Sequence, residues 1–162
     1  MAQWILLGGL GLAGACAADD ATPPGACGTG PGVVEVGQGG SRLRDLPREG
    51  GELGIVLGSQ GGIHVLVGFR VRDMDLTMRI VYRLVDPATE EIVGTPTELE
   101  LRRALFTTDG VDTIRNPDLV VLDGEAPRVA DFAGRVVRLE LEAVSADSYA
   151  CDARTATLVA PP

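Results

Sequence analysis

The stretch Ile63-His64-Val65-Leu66-Val67-Gly68-Phe69-Arg70-Val71-Arg72 decides the fold class of this chain. Its odd positions are all apolar, and its even positions, Leu66 excepted, hold His64, Gly68, Arg70 and Arg72. Such alternation is typical of a strand with one buried face, because successive side chains of a strand point to opposite sides. The stretch therefore predicts a half-buried β-strand with His64 on the face opposite the core.

The same period of two recurs along the rest of the chain. The even positions of residues 76–85 are apolar, and residues 136–143 place apolar side chains at 137, 139, 141 and 143. Shorter strands are predicted at 33–36, 53–57, 91–93, 98–105, 119–122 and 155–159, with turns at 73–75, 86–87, 108–110, 116–118 and 123–124. Eight or nine short strands predict an all-β domain over residues 33–162. An antiparallel β-sandwich is favoured, and a closed barrel is the alternative.

Composition excludes several classes of function. The 162 residues carry a net charge of −9, which repels phosphate backbones, so we expect no nucleic-acid partner. The chain has one histidine, three cysteines and 14 basic residues, all of them arginine. This excludes Schiff-base chemistry, a multi-histidine metal centre and a zinc ribbon. No serine of the mature chain lies in a nucleophile-elbow context. We therefore expect no cofactor and no enzymatic activity.

Residues 1–15 have the features of a signal peptide. Residues 4–15 form an uncharged apolar run of twelve residues, whereas a bilayer-spanning helix needs about 20. The run ends in small residues and is followed by Asp19, Asp20 and a Thr-Pro-Pro-Gly sequence. The alternative is that these residues form a buried strand or helix of the fold.

The stretch Leu12-Ala13-Gly14-Ala15-Cys16 resembles a bacterial lipobox, in which the cysteine is lipidated and becomes the mature N-terminus. The resemblance implies a lipid anchor on Cys16, a membrane partner and a place in the cell envelope. Simple cleavage, giving a soluble periplasmic or secreted protein, is the alternative. Residues 16–32, rich in alanine, glycine and proline, would then form a flexible linker.

Lipid on Cys16 leaves an even number of cysteines. Cys27 and Cys151 remain, near the two ends of the mature domain and in an oxidising compartment. We expect them to form a disulfide bond. The alternative is two unpaired, small apolar side chains.

Residues 58–65, Gly-Ser-Gln-Gly-Gly-Ile-His-Val, are the most distinctive segment. The Gln-Gly-Gly-x-His part resembles a stretch of uncharacterised predicted lipoproteins of high-GC bacteria. Gln60, Gly61, Gly62 and His64 are therefore candidate ligand-binding residues, with exposed glycine amides contributing. The alternative interpretation is a β-bulge whose polar side chains satisfy nearby backbone groups.

The stretch from Asp131 to Leu141 resembles the penultimate strand of bacterial immunoglobulin-like domains, with an aromatic residue and a glycine at the corner before a long alternating strand. Residues 145–148 would form the following turn and residues 154–159 the threonine-containing last strand. The resemblance implies an immunoglobulin-like β-sandwich.

Four arginines, at 70, 72, 79 and 83, are predicted to share one face of a hairpin. They would bind acidic glycans or lipid phosphates, or they would pair with Glu98, Glu100, Glu140 and Glu142 across the strands. The net charge favours the pairing.

Two functions follow from these features. The first is a non-enzymatic, envelope-anchored lipoprotein that serves as a structural or protein-interaction module for an envelope protein. The second is a small-ligand or glycan-binding module that uses the region from Gln60 to His64.

Overall fold

A computed structural model describes residues 27–123 and 127–162. These residues contain eleven strands: β1 (Cys27–Thr29), β2 (Val33–Gln38), β3 (Arg44–Asp45), β4 (Gly51–Leu57), β5 (Ile63–Arg72), β6 (Met78–Val85), β7 (Thr97–Leu101), β8 (Thr107–Asp109), β9 (Asp112–Val121), β10 (Val136–Ser145) and β11 (Tyr149–Val159). A 3₁₀ turn covers Arg103–Leu105, and one short helix, α1, covers Val129–Phe132. The all-β fold class is confirmed.

The strands form one curled sheet. Its main path runs β3-β2-β5-β4-β11-β10-β6-β7, and β9 lies on the other edge of β5, with β8 beyond it. Strand β1 pairs with β11. The sheet is mixed, because β4 and β11 are parallel while every other described pair is antiparallel. Strand β4 changes partner halfway: residues 51–54 follow β11, and residues 55–57 follow β5.

The core lies inside the curl. The odd residues of β5, the even residues of β6 and the odd residues of β10 from 137 to 143 point inward, as the alternation predicts. The largest fully buried side chains include Tyr82, Phe69, Leu53, Ile80 and Leu139. Burying one such apolar side chain contributes roughly 1.5–3 kcal/mol, so the alternating strands supply most of the driving force for folding.

The segment before β7 closes the curl against β9. The Thr95 amide donates to the Val121 carbonyl at 3.0 Å, and the Thr97 hydroxyl donates to the Leu119 carbonyl at 2.9 Å. Gly94 makes this approach possible: it has φ +86°, and a Cβ there would lie 2.2 Å from the Val121 carbonyl oxygen. A side chain is therefore excluded at this position.

The predicted hairpin of the four arginines is wrong. Strands β5 and β6 are consecutive but do not pair, because β6 lies between β10 and β7. Arg79 pairs with Glu98 at 3.1 Å and Arg83 with Glu142 at 2.5 Å, on one side of the molecule. Arg70 and Arg72 instead pair with acids of β2, β3 and β9, namely Glu35, Asp45 and Asp112.

Three local predictions also differ from the structure. Asn116, Pro117 and Asp118 were expected in a turn but lie inside β9, where the Asn116–Pro117 peptide is cis. Residues 91–93 form only an isolated bridge between Ile92 and Val85. The strand predicted over 98–105 ends at Leu101 and gives way to the 3₁₀ turn. At Asn116 a tertiary contact, its pair of hydrogen bonds to Gly40, replaces the local turn pattern.

Different strands and loops lie at the two ends of the domain. Along β11, Cys151 and Val159 are eight residues apart, which corresponds to about 26 Å of strand. The Cys151 end contains β1, where the N-terminal residues join the domain, and the turn at 145–148. The opposite end, here the His64 end, contains the loop at 58–62 and the C-terminus, because β4 continues past Val159 to its pairing with β5.

Candidate functional site

An apolar surface surrounds His64 on the outside of the sheet. His64 lies between Val56 of β4 and Val121 of β9 in the strand register, and Leu66 lies opposite Leu119. We call these five residues the His64 face. Leu119 is 48% exposed and Val121 36% exposed. None of the five side chains carries a full charge when His64 is neutral, although 23% of the chain's residues are charged.

The loop at 58–62 forms the first wall of the His64 face. It connects β4 to β5, and the Gly58 amide donates to the Gly62 carbonyl at 2.8 Å. The Gly61 amide donates to the Gly58 carbonyl at 3.0 Å, and Gly61 has φ +84°. The segment is therefore a hairpin loop and not the β-bulge considered from the sequence. The amides of Gly58 and Gly61 are used within the loop and are not free for a ligand.

Two glycines make room for the His64 ring. A Cβ on Gly58 would lie 2.7 Å from Nε2 of His64, and a Cβ on Gly62 would lie 3.2 Å from Cε1. Within residues 27–123 and 127–162, the imidazole makes no hydrogen bond or ion pair with another side chain. The ring therefore stands over the loop with its nitrogens available.

A shallow cavity of about 350 Å³ unites three of the four candidate ligand residues. Gln60, Gly62 and His64 line it, together with Gly58, Ser59 and Val121. Gly61, the fourth candidate, is not among the lining residues, and a Cβ there would meet nothing within 4 Å. The structure thus brings Gln60 and His64 together at one opening.

The segment at 39–43 forms the second wall. Asn116 of β9 holds it: the Gly40 amide donates to Asn116 Oδ1 at 3.1 Å, and Asn116 Nδ2 donates to the Gly40 carbonyl at 3.0 Å. Gly37 of β2 and Gly68 of β5 are register partners. Leu43 covers them, because a Cβ on Gly68 would lie 3.0 Å from Cδ1 of Leu43. The wall is fixed by a side chain that the sequence had placed in a turn.

A second cavity, of about 390 Å³, adjoins the His64 face where β5 passes from β4 to β2. Val56 and Leu66 line it with Gln38, Gly54 and the C-terminal residues, and the charged residues Arg44 and Glu52 line it as well. Because Val56 is the register partner of His64, the two cavities meet at this pair. We call these two adjoining cavities together the groove; it lies over β4, β5 and β9, and Leu119 borders it without lining either cavity.

The outer surface of β6, β7 and β10 has the opposite character. Arg138 pairs with Glu140 at 2.7 Å and with Glu90 at 2.6 Å, beside the pairs of Arg79 and Arg83. The hydrogen bond from Arg138 holds the pKa of Glu90 below its usual value. Exposed pairs of this kind contribute about 0–1 kcal/mol each, so they keep the surface solvated more than they stabilise it.

Sequence reasoning found His64 and Gln60 but missed the floor of the groove. Leu66 interrupts the polar positions of β5, and residues 119–122 are apolar without interruption. Both are signs of a strand covered on its two faces. Asn116 gave no such signal, because an asparagine before a proline is also an ordinary turn sequence.

The cysteine predictions fall partly outside the structure. Cys16 and the signal segment 1–15 lie outside the described residues, as does most of the linker. Cys27 lies in β1, opposite Cys151 in the antiparallel register with β11. The last residues of the predicted linker thus belong to a strand.

The described part of the chain has no evident metal site. It contains no group of three His, Cys, Asp or Glu side chains placed to hold a metal ion. Over the same residues, no helix has the length and apolar character needed to cross a membrane.

In comparisons with known proteins, no family model, no curated protein and no solved structure matches this chain.

Proposed function

We propose that this protein is a non-enzymatic lipoprotein of the cell envelope, anchored through Cys16, whose domain binds another envelope protein through the His64 face. The observation that carries the proposal is the groove between two walls, where aliphatic side chains of β4, β5 and β9 gather, on a domain whose β6–β7–β10 surface carries ion pairs. An apolar centre bordered by polar residues is also how protein–protein interfaces are arranged.

Within the described residues, no nucleophile–base pair forms around His64. Ser59 lines the same cavity as His64, but no hydrogen bond joins the two side chains there. No carboxylate orients the imidazole either. A catalytic serine needs both contacts.

The position of β1 fits an anchored domain. Strand β1, the first described element, lies at the Cys151 end, and the His64 face lies toward the opposite end. A lipid on Cys16 would therefore attach the domain to the membrane through its Cys151 end. The partner is then a protein that reaches the domain from the far side.

A disulfide between Cys27 and Cys151 completes the proposal. One observation supports the pairing: Cys27 lies opposite Cys151 in the antiparallel register of β1 and β11. The bond would fasten the first strand of the domain to its last strand, at the point where the linker begins.

We further propose an immunoglobulin-like arrangement of the strands. Support comes from the corner before β10, where Phe132 is buried and Gly134 has φ +86°. Strands β10 and β11 then form the long hairpin that the resemblance implies, with its turn at 145–148.

Lipid labelling tests the anchor directly. The full chain should incorporate labelled palmitate and fractionate with membranes, and Cys16→Ser should abolish both. Cys27→Ser is the matched control and should keep the label. An unlabelled protein found wholly in the soluble fraction would overturn the anchoring proposal.

The cavity at Gln60 and His64 favours a second candidate function, the binding of a small ligand or glycan. No Phe, Tyr or Trp side chain lines this cavity, and Phe69, Tyr82 and Phe132 are buried elsewhere, so none of them offers a ring for stacking on sugars. A glycan array with wild type and His64→Ala decides between the two functions. Glycan binding that His64→Ala removes would favour this second function.

A further inference from the structure

We propose that the groove of the His64 face takes an uncharged, extended segment of a second protein, laid across β4, β5 and β9. The inference rests on the proposed function, since it names the kind of partner that the same site would bind. It is argued from the chemistry of the floor, from the size of the groove and from its place on the domain.

The floor selects against charge. Its five side chains are Val56, His64, Leu66, Leu119 and Val121, of which four are aliphatic, and the charged residues Arg44 and Glu52 line the neighbouring cavity. A charged side chain placed on the floor would lose its hydration without gaining a counter-ion there, which costs several kcal/mol. An apolar side chain would instead gain free energy by leaving water.

The size of the groove fits a single extended chain. His64 and Leu66 are two residues apart on β5, which gives a floor about 7 Å long along the strand, and the three strands span about 10 Å across it. With the borders of the side chains included, the floor covers on the order of 200 Å². A stable dimer buries about 800 Å² on each partner. The groove is too small for a globular face and large enough for a strand.

A second copy of this chain is disfavoured on charge as well as on area. Each copy carries a net charge of −9, so two copies repel each other. The groove also lies toward the domain end opposite the one that contains β1.

Two polar side chains at the edge complement the backbone of an extended segment. The Gln60 amide and the His64 imidazole have no side-chain hydrogen-bond partner within the described residues. An extended segment that crosses the strands leaves its own amide and carbonyl groups unpaired. Gln60 and His64 would satisfy some of them without selecting for charge.

Two defined peptides test the inference against the ¹⁵N-labelled full chain. The first is an N-acetylated, C-amidated octapeptide of alternating valine and threonine, and the second replaces each valine with glutamate. We expect the first peptide to shift backbone resonances at residues 54–66 and 119–121 in a saturable manner. We expect the glutamate peptide to cause no shift.

Matched variants locate the binding. The double variant Leu119→Ser, Val121→Thr should bind the valine–threonine peptide at least fivefold more weakly than the wild type does. Val136→Ser combined with Val144→Thr is the control, because Val136 is 47% exposed and Val144 39% exposed, close to the values of Leu119 and Val121. The control should bind as wild type does. Both proteins are checked for the same fold by circular dichroism before titration.

Four results would overturn the inference. They are the absence of shifts at millimolar peptide, equal binding of the two peptides, shifts outside the His64 face, and equal weakening by the control variant. A dimer in sedimentation equilibrium that the Leu119 and Val121 variant dissociates would assign the groove to a second copy instead. These outcomes are independent of palmitate labelling, so failure of the anchor and failure of the groove are distinguished.

Discussion

The hydroxyl of Tyr82 donates a hydrogen bond of 3.0 Å to the carboxylate of Asp118, inside the core. Asp118 also forms an ion pair of 2.6 Å with Arg115, and its side chain is 1% exposed. Arg115 in turn donates to the Leu105 carbonyl at 3.3 Å. A single buried carboxylate thus connects β6, β9 and the 3₁₀ turn, at the place where the curled sheet has no continuous strand pairing.

Tyr82→Phe should destabilise the domain by about 1–3 kcal/mol, because it leaves a buried carboxylate oxygen without its donor. The ring itself keeps its place, since its edge-to-face contact with Phe69 does not involve the hydroxyl. Urea denaturation measures the change. Tyr149→Phe, the matched control on half-buried Tyr149, should alter the free energy of unfolding by less than about 0.5 kcal/mol. Equal losses in both variants would contradict a special role for the bond to Asp118.

The same tyrosine makes the free energy of unfolding depend on pH in the alkaline range. Burial, and then the charge of Asp118, hold the pKa of Tyr82 well above its ordinary value near 10. Because the pKa of Tyr82 is higher in the folded chain than in the unfolded chain, the stabilisation that this difference gives is complete below pH 10. It is lost as the pH rises further, because the unfolded chain then releases the proton first. The slope reaches about 1.4 kcal/mol per pH unit. Denaturation between pH 9 and 11 should show a shallower decline for Tyr82→Phe than for wild type.

Asn116→Ala should loosen the wall of the groove. It removes two hydrogen bonds to Gly40 and should cost about 1–3 kcal/mol of the free energy of unfolding. Amide exchange at Gly40 should rise more than exchange in β10, which is remote from the contact. Asn116→Asp retains the acceptor for the Gly40 amide and loses the donor, so its effect should be intermediate. Exchange unchanged at Gly40 in both variants would show that another contact holds the segment.

Much of the strand pattern could be predicted from the sequence because one face of each long strand is buried. The bounds of β5 coincide with the alternating stretch, and β10 begins where its pattern begins. Sheet order could not be predicted in the same way. The alternation of β5 and β6 fixes which side chains point inward, but it does not state that β6 pairs with β10 rather than with β5.

The candidate site was predictable only where it was locally unusual. The glycines around Gln60 and His64 marked a loop with a distinctive sequence. The floor depends on β4, β5 and β9. Val56 and Val121, the two register partners of His64, are 65 positions apart in the sequence. No local pattern records such a contact, and the role of Asn116 depends on a segment that is likewise distant in sequence.

Gly94 should tolerate no side chain. Gly94→Ala places a Cβ 2.2 Å from the Val121 carbonyl oxygen and forces alanine to φ +86°, so we expect a loss of more than about 2 kcal/mol. Gly110→Ala is the matched control, because Gly110 has φ +63° and no atom within 4 Å of the added Cβ. It should cost about 1 kcal/mol, from backbone conformation alone. Chemical denaturation of the two variants separates the close contact from the backbone term, and equal losses would contradict the tight closure at Val121.

The last prediction concerns Cys27 and Cys151. Non-reducing peptide mapping of the exported protein should recover the two residues in one linked peptide, because β1 places them opposite each other on β11. Closing so long a loop contributes roughly 4–5 kcal/mol in the chain-entropy description, and each kcal/mol shifts the Tm of a domain this size by roughly 3–5 °C. Cys27→Ala and Cys151→Ala should therefore lower the Tm by similar amounts. Reductant should lower the Tm of the wild type and leave both variants unchanged, while palmitate on Cys16 stays in place. Two free thiols in protein taken from the envelope would refute the pairing.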